Sequence, residues 1–379
     1  MYVQTPPMGW NSWNTFGHNI NEQLVRETAD AMVDRGFLAA GYEYVVIDDC
    51  WSLRERDKDG HMVADPAKFP SGMKALADYV HSKGLKFGMY SCDGTRTCAG
   101  YPGSYDYEFI DAHDFAEIGI DYLKYDNCYK PEFMPGRLLY NRMSMALKST
   151  GRDILFSACN WGNENVESWI RSTGAGLYRS TGDIFDGFDS LHEIYRSQLD
   201  KFGYIGPGCF NDVDMLICGM KGAGNVGEEN GFSGCTDAQY AMHFALWCFM
   251  ASPLMIGCDV RNVDEETVKL LTNRALIAID QDFEVRPPFV VENYPNTLVL
   301  MRHLSNNEYA IGIFNIDENA RHFVVDYSQT GLSPNCGYGL ELTDIFTGEN
   351  CGIIANGSKF EDIGSYGMKI YRAKVVKKA

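Results

Sequence analysis

The sequence has no apolar run long enough to cross a bilayer as a helix. It has no excess of basic residues either. Lys and Arg number 33 against 51 Asp and Glu, a formal charge of −18 that repels phosphate backbones and anionic lipid and argues against nucleic acid or membrane partners. The opening Met1-Tyr2-Val3-Gln4-Thr5-Pro6-Pro7 lacks the basic segment and apolar core of a signal peptide. It predicts a cytoplasmic protein, or a secreted mature form whose leader has been removed. No CxxC pair or metal-finger spacing occurs among the twelve cysteines. Most of them, such as Cys248 in the apolar stretch 244–250, read as reduced, buried thiols. No Gly-x-Gly-x-x-Gly turn follows the first strand and no glycine-rich phosphate loop is evident, so neither a dinucleotide cofactor nor a phosphate-handling barrel has support. The expectation is an enzyme without a cofactor.

What is present is ordinary for a globular chain of 379 residues, with 45% hydrophobic and 22% charged residues. Over the first three quarters two kinds of segment alternate. Apolar runs at 42–47, 85–90, 122–125, 154–157 and 253–257 read as buried strands. Stretches with helical spacing lie between, among them Asn21 to Arg35, Ser71 to Lys83 and Asp111 to Ile118. Asn21 is placed to cap the first, and Gly36 to stop it. Repeated strand–helix units imply parallel strands with right-handed crossovers. The stretch from Met8 to about Gly257 has room for eight, which predicts a (β/α)8 TIM barrel, with an open doubly wound sheet as the alternative. After Asp282 the pattern changes. Arg286-Pro287-Pro288 punctuates the chain, and short alternating runs at 297–301, 309–314 and 322–325 predict an antiparallel β-sandwich. The expected division is a barrel over 1–285 and a sandwich domain over 286–379.

In such a barrel the residues at the C-terminal strand ends meet in one cleft. Polar residues do gather there: Asp48-Asp49 after Ile47, Asp126 after Tyr125, Asp183 after Arg179-Ser180-Thr181-Gly182, and Asp212 and Asp214 near a later strand. Any one of these could cap a helix or make an Asx-turn. Four acidic strand ends in one cleft are poorly explained by capping alone. Trp10, Trp13, Trp51 and Trp161 lie near the same ends, where rings could stack on sugars, although core packing is the commoner fate of a single Trp. The combination suggests a carbohydrate site. The strand ends show no histidine cluster, so no metal is expected.

With these motifs in hand, the chain resembles the α-galactosidases and α-N-acetylgalactosaminidases of glycoside hydrolase family 27. The resemblance runs from Pro6-Pro7-Met8-Gly9-Trp10-Asn11-Ser12-Trp13 to Gln281-Asp282. It includes Ile47-Asp48-Asp49-Cys50-Trp51, Tyr122-Leu123-Lys124-Tyr125-Asp126, Arg179-Ser180-Thr181-Gly182-Asp183-Ile184, Asn211-Asp212-Val213-Asp214-Met215-Leu216 and Ala251-Ser252-Pro253-Leu254, in the family's order. It implies hydrolysis of terminal α-D-galactosides by double displacement. Asp126 would be the nucleophile and Asp183 the acid and base, their carboxyls roughly 5–5.5 Å apart. Lys124 would help keep Asp126 ionised, and Arg179 would bind a sugar hydroxyl. Asp48 and Asp49 match the pair that grips hydroxyls including O4 and O6, and Trp13 would line a face of the sugar. Tyr90, Asp214 and Met215 match other cleft positions. Cys98 and Cys128 match a disulfide pair, with Cys98 also touching the sugar.

Two departures from the family stand out. His18 occupies a position where many relatives carry a cysteine bonded to the equivalent of Cys50, which leaves Cys50 free. In Cys159-Asn160-Trp161-Gly162, the loop expected to face the sugar's 2-position, Asn160 replaces the Glu of many α-galactosidases, while Trp161-Gly162 looks like their version. Galactose is therefore the favoured sugar of an oligosaccharide or glycoconjugate substrate. An α-N-acetylgalactosaminidase, a β-L-arabinopyranosidase and a non-catalytic galactoside-binding protein stay open as alternatives. The glycine-rich insertion 220–231 reads as a surface loop, with a cleft-edge or subunit-contact role as the other reading, and self-association is left open.

Overall fold

The structure is a computed structural model that describes residues 1–224, 234–333, 335–354 and 357–378. Residues 225–231 of the glycine-rich insertion lie outside the described residues. Eight parallel strands form, five of them from the apolar runs at 42–47, 85–90, 122–125, 154–157 and 253–257: β1 (Met8–Asn11), β2 (Tyr44–Val46), β3 (Lys86–Cys92), β4 (Tyr122–Asp126), β5 (Leu155–Cys159), β6 (Leu177–Arg179), β7 (Phe210–Asp212) and β8 (Leu254–Ile256). They run side by side in the order β7-β6-β5-β4-β3-β2-β1-β8. Residues just past β7 close the ring: Leu216 bridges Ile256 in parallel, its N–H donates to Met255 O at 2.7 Å, and its carbonyl accepts from Gly257 N at 2.9 Å. Both faces of the strands are covered, which is why each reads as a continuous apolar run rather than an alternating one. The result is the expected (β/α)8 barrel.

The helical spacing also translates into structure. Asn21 caps the helix Glu22–Asp34 by accepting from Leu24 N at 2.9 Å, and Gly36 after it is left-handed at φ 83°. The regular alternation fails once between β5 and β6, where two short 3-10 segments, Asn163–Ser168 and Ile170–Thr173, replace a full helix. Glycines at 162 and 174 and the positive φ of Glu164 and Asn165 break the helical path there. One helix, Asp237–Met250, is buried almost all round and begins with a Thr236/Gln239 capping box.

Beyond the barrel, strands β9 (Phe289–Tyr294), β10 (Thr297–Leu304), β11 (Glu308–Asn315), β12 (Arg321–Asp326), β13 (Tyr338–Asp344), β14 (Asn350–Ile354), β15 (Ser358–Ile363) and β16 (Met368–Lys377) are antiparallel. Six form one sheet in the order β14-β13-β16-β11-β10-β9, and β12 and β15 form a second. The period-2 alternation of β10 explains the placing of the large sheet. Leu298 and Leu300 join the barrel's apolar cluster, while Val299 and Met301 join a separate cluster with Val325 and Ile363 of the small sheet. Arg302 on the same strand is fully buried, and its guanidinium donates to the carbonyls of Cys248, Arg286 and Asp280 at 2.9, 2.7 and 3.4 Å.

Candidate active site

Side chains two apart on a strand share a face, so β4 turns Lys124 and Asp126 into the barrel mouth while Tyr125 packs outward on Tyr140 and Phe156. The same rule brings Tyr90 in from β3 and Arg179 from β6. Loops after the strands add Trp13, Asp48, Asp49, Cys98 and Trp161, and then Asp183, Asp214 and Met215. All of these line one pocket at the C-terminal end of the barrel.

On one side sits Asp126, buried to 5% exposure. Its Oδ2 accepts from Tyr90 OH at 3.0 Å and its Oδ1 from Asn127 N at 3.0 Å. Burial pushes its pKa up to about 6, even though the Lys124 ammonium pulls the other way. Lys124 itself donates to Asp48 Oδ2 at 2.8 Å, an oxygen that also accepts from Asn11 Nδ2 at 2.8 Å. Asp49 turns its carboxylate onto the backbone, accepting from Cys50 N at 2.7 Å and Ala99 N at 3.0 Å. Cys98 and Cys128 are joined in a disulfide with Cα atoms 5.2 Å apart, and Tyr90 OH lies 3.7 Å from Cys98 Sγ. Among the described residues, Cys98, Asp126 and Cys128 are the one grouping of side chains with metal-ligating atoms, and the disulfide occupies both sulfurs.

On the opposite side Arg179 is buried between two carboxylates. One guanidinium nitrogen pairs with Asp183, and the other holds Asp214 Oδ1 at 2.9 Å. Burial acts to raise the pKa of Asp183, but the Arg179 charge and hydrogen bond outweigh it and hold the carboxyl below its usual value. Asp214 feels the same guanidinium, but its burial, with the Asp183 and Asp212 charges added, outweighs that pull and pushes it up to about 6. Its backbone is left-handed at φ 83°, which lets its second oxygen accept from Ile184 N at 2.6 Å, next to Asp183.

Several expectations need correcting. The tuning is the reverse of the simple division of labour: the expected nucleophile has the raised pKa and the expected acid the lowered one. Lys124 does favour ionised Asp126, but burial dominates. Asn160 does not face the pocket. Strand alternation turns it outward, where it is fully buried beside Gly136, and neither amide atom has a hydrogen-bond partner among the described residues. Cys159 points inward but lies beneath the pocket wall, 3.8 Å under an Arg179 nitrogen. Trp161, at φ 57°, is the residue of that loop that reaches the cavity. Trp10 and Trp51 are core residues whose indoles donate to Cys258 O and Tyr90 O, each at 2.9 Å. Conversely, Asn11, Asn14 and Ile184 line the pocket without having been singled out. Asn11 carried a signal, since it stands at a strand end inside the opening motif.

The α-galactosidase A (melibiase) family model matches residues 5–282. The chain belongs to the α-galactosidase family. It is a glycosidase, and its pocket is that of a family 27 barrel. An α-galactosidase of Cyamopsis tetragonoloba is 42% identical over 369 residues, covering 97% of this chain and 86% of its own length. Among solved structures, α-galactosidase I of Mortierella vinacea superposes with a TM-score of 0.90 at 30% identity, covering 100% of this chain and 99% of that one. The α-galactosidase of Saccharomyces cerevisiae solved with raffinose gives a TM-score of 0.87 at 28% identity over 98% of each chain.

Proposed function

We propose that this family member removes terminal α-D-galactosyl residues from oligosaccharides with retention of configuration. The observation that carries the reading is the pair of carboxyls, Asp126 and Asp183, brought into one pocket from opposite sides with different hydrogen-bonding surroundings. In the first step an Asp126 oxygen attacks the anomeric carbon, the bond to the leaving oxygen breaks, and Asp183 gives that oxygen its proton. In the second, Asp183 takes a proton from water, the water oxygen attacks the same carbon, and Asp126 leaves as carboxylate.

The low proton affinity that Arg179 gives Asp183 is compatible with this role. Its side chain is 56% exposed. A sugar seated there strips that water away and competes for the Arg179 N–H groups, and both changes raise its pKa. Trp161 in the cavity, rather than a small residue, favours a 2-hydroxyl over an acetamide. The lining of the pocket by both Asp48 and Asp49 favours a hexose with an O6 over an arabinopyranose. A raffinose-bound relative supports an α-galactoside as the substrate class.

The test is hydrolysis of matched 4-nitrophenyl α-galactoside and α-N-acetylgalactosaminide by the wild type, Asp126→Asn and Asp183→Asn, with the product anomer followed by NMR. Strong preference for the galactoside, an α-product, and losses of roughly a thousandfold in both variants are expected. Preference for the acetamido sugar would overturn the reading of Trp161, and a β-product would overturn the double displacement.

A further inference from the structure

Asp183 sits on a loop with no regular secondary structure, residues 182–187. Its side chain is half-exposed and held by one ion pair, so its position depends on how the backbone around it is pinned. Ile184 is tied on both sides, by its N–H to Asp214 and by its carbonyl to Asn14 Nδ2 at 3.3 Å. Phe185 N donates to Ser190 Oγ at 2.9 Å, and beyond it the chain is anchored by Asp186, a carboxylate of 5% exposure that does not line the pocket. Asp186 Oδ1 accepts from Tyr240 OH at 2.7 Å and Oδ2 from Gly222 N at 2.7 Å, while its carbonyl accepts from Gly234 N at 3.1 Å.

Tyr240 uses its whole hydrogen-bonding capacity here. A phenol offers one donor and two acceptor sites. The donor goes to Asp186, and the oxygen accepts from Lys221 N at 2.8 Å and Cys235 N at 3.1 Å. Tyr240 belongs to the buried helix Asp237–Met250, and three and seven residues further along the same face come His243 and Trp247. His243 Nε2 accepts from Ile217 N at 3.1 Å, and Trp247 Nε1 donates to Asp214 O at 2.7 Å. One rigid helix face therefore holds the loop bearing Asp183 and the turn bearing Asp214.

The geometry points to Tyr240 and Asp186 as positioning residues for Asp183, setting where its carboxyl stands relative to the leaving oxygen. Neither touches the substrate. Their removal lets the loop shift, and a shift of about 1 Å in a proton donor costs on the order of a hundredfold in the step that uses it. The inference rests on the reading of Asp183 as the acid.

The experiment uses Tyr240→Phe and Asp186→Asn in the full chain, with Asp183→Ala as the reference. It measures kcat/KM on aryl α-galactosides whose leaving phenols span pKa values from about 4, which depart without protonation, to about 10, which need it. For both positioning variants the expected loss is within about twofold for the dinitrophenyl substrate and about ten- to a hundredfold for the phenyl substrate. The ratio between substrates is independent of the folded fraction, so partial misfolding cannot mimic it. Equal losses on every substrate, or no loss on any, would overturn the inference. A flat profile for Asp183→Ala would instead overturn the acid role on which it rests.

Discussion

Replacing Asp126 by Asn should stabilise the protein while abolishing its activity. The carboxyl is 5% exposed, and burial lifts its pKa from the usual 3.8 to about 6. At neutral pH the folded state must keep ionised a group that would rather be neutral, a cost of about 3 kcal/mol. Asn has nearly the same shape and carries no charge; its Oδ1 can still accept from Asn127 N, and its Nδ2, standing where Oδ2 did, can donate to the Tyr90 oxygen. The cost is full above the folded pKa and fades as pH falls toward the unfolded one, because both states then hold the proton. The advantage of the variant should thus be about 3 kcal/mol near pH 7.5 and only about 1 kcal/mol near pH 4.5. With an unfolding entropy of about 2 cal/mol/K per residue, the larger figure corresponds to a rise of about 4 °C in Tm. Paired melting curves of wild type and variant at the two pH values measure it. A variant less stable than wild type near pH 7.5, or one with the same advantage at both pH values, would refute the claim that burial of this charge is a strain on the fold.

Three further outcomes follow from the same contacts. Because Asp126 must be ionised to attack, kcat/KM should fall as pH drops through about 6, and Lys124→Met should move that acid limb upward by removing the cation that lowers the pKa; a limb that stays in place would contradict the pairing. His18→Cys should bond to Cys50, since the carbonyls of residues 18 and 50 accept from one Lys68 ammonium at 2.9 and 2.8 Å. The cross-link should add up to about 3–4 kcal/mol, seen as a reductant-sensitive rise in Tm, whereas two thiols that remain titratable after oxidation would rule it out. Arg302→Leu should cost about 3–5 kcal/mol by stranding three carbonyls and buried Asp280, and a denaturant midpoint close to wild type would show that the guanidinium contributes little.

Much of the site was legible because a barrel converts strand ends into neighbours. Asp126, the Arg179–Asp183 pair and Asp214 lie far apart in sequence, yet each stands at or just past the end of a strand, and the parallel architecture does the rest. What was misjudged turned on side-chain direction. Asn160 stands between Cys159 and Trp161 in a loop placed correctly at the mouth, but alternation along β5 aims it away from the cavity. Trp10 and Trp51 are near the mouth in sequence and are consumed by the core. The supporting role of Tyr240 had no local signal at all, because its helix is buried almost all round and its partners, Asp186, Lys221 and Cys235, lie outside that helix. The lowered pKa of Asp183 likewise depends on a guanidinium orientation that no spacing rule supplies.

The alternation of β10 has a consequence for how such proteins can be recombined. Leu298, Leu300, Leu304 and Phe314 belong to the same apolar cluster as Trp247 and Phe249, and the rings of Phe249 and Phe314 meet edge to face at 5.8 Å. The large sheet therefore covers an apolar face of the barrel's helical layer rather than hanging from it. A gene fragment cut after the last barrel helix would encode a protein missing part of its own inside. A tail borrowed from a relative would have to bring knobs that fit the holes left around Phe249. The two parts share one apolar cluster, so a change in the packing side chains of either is felt by the other.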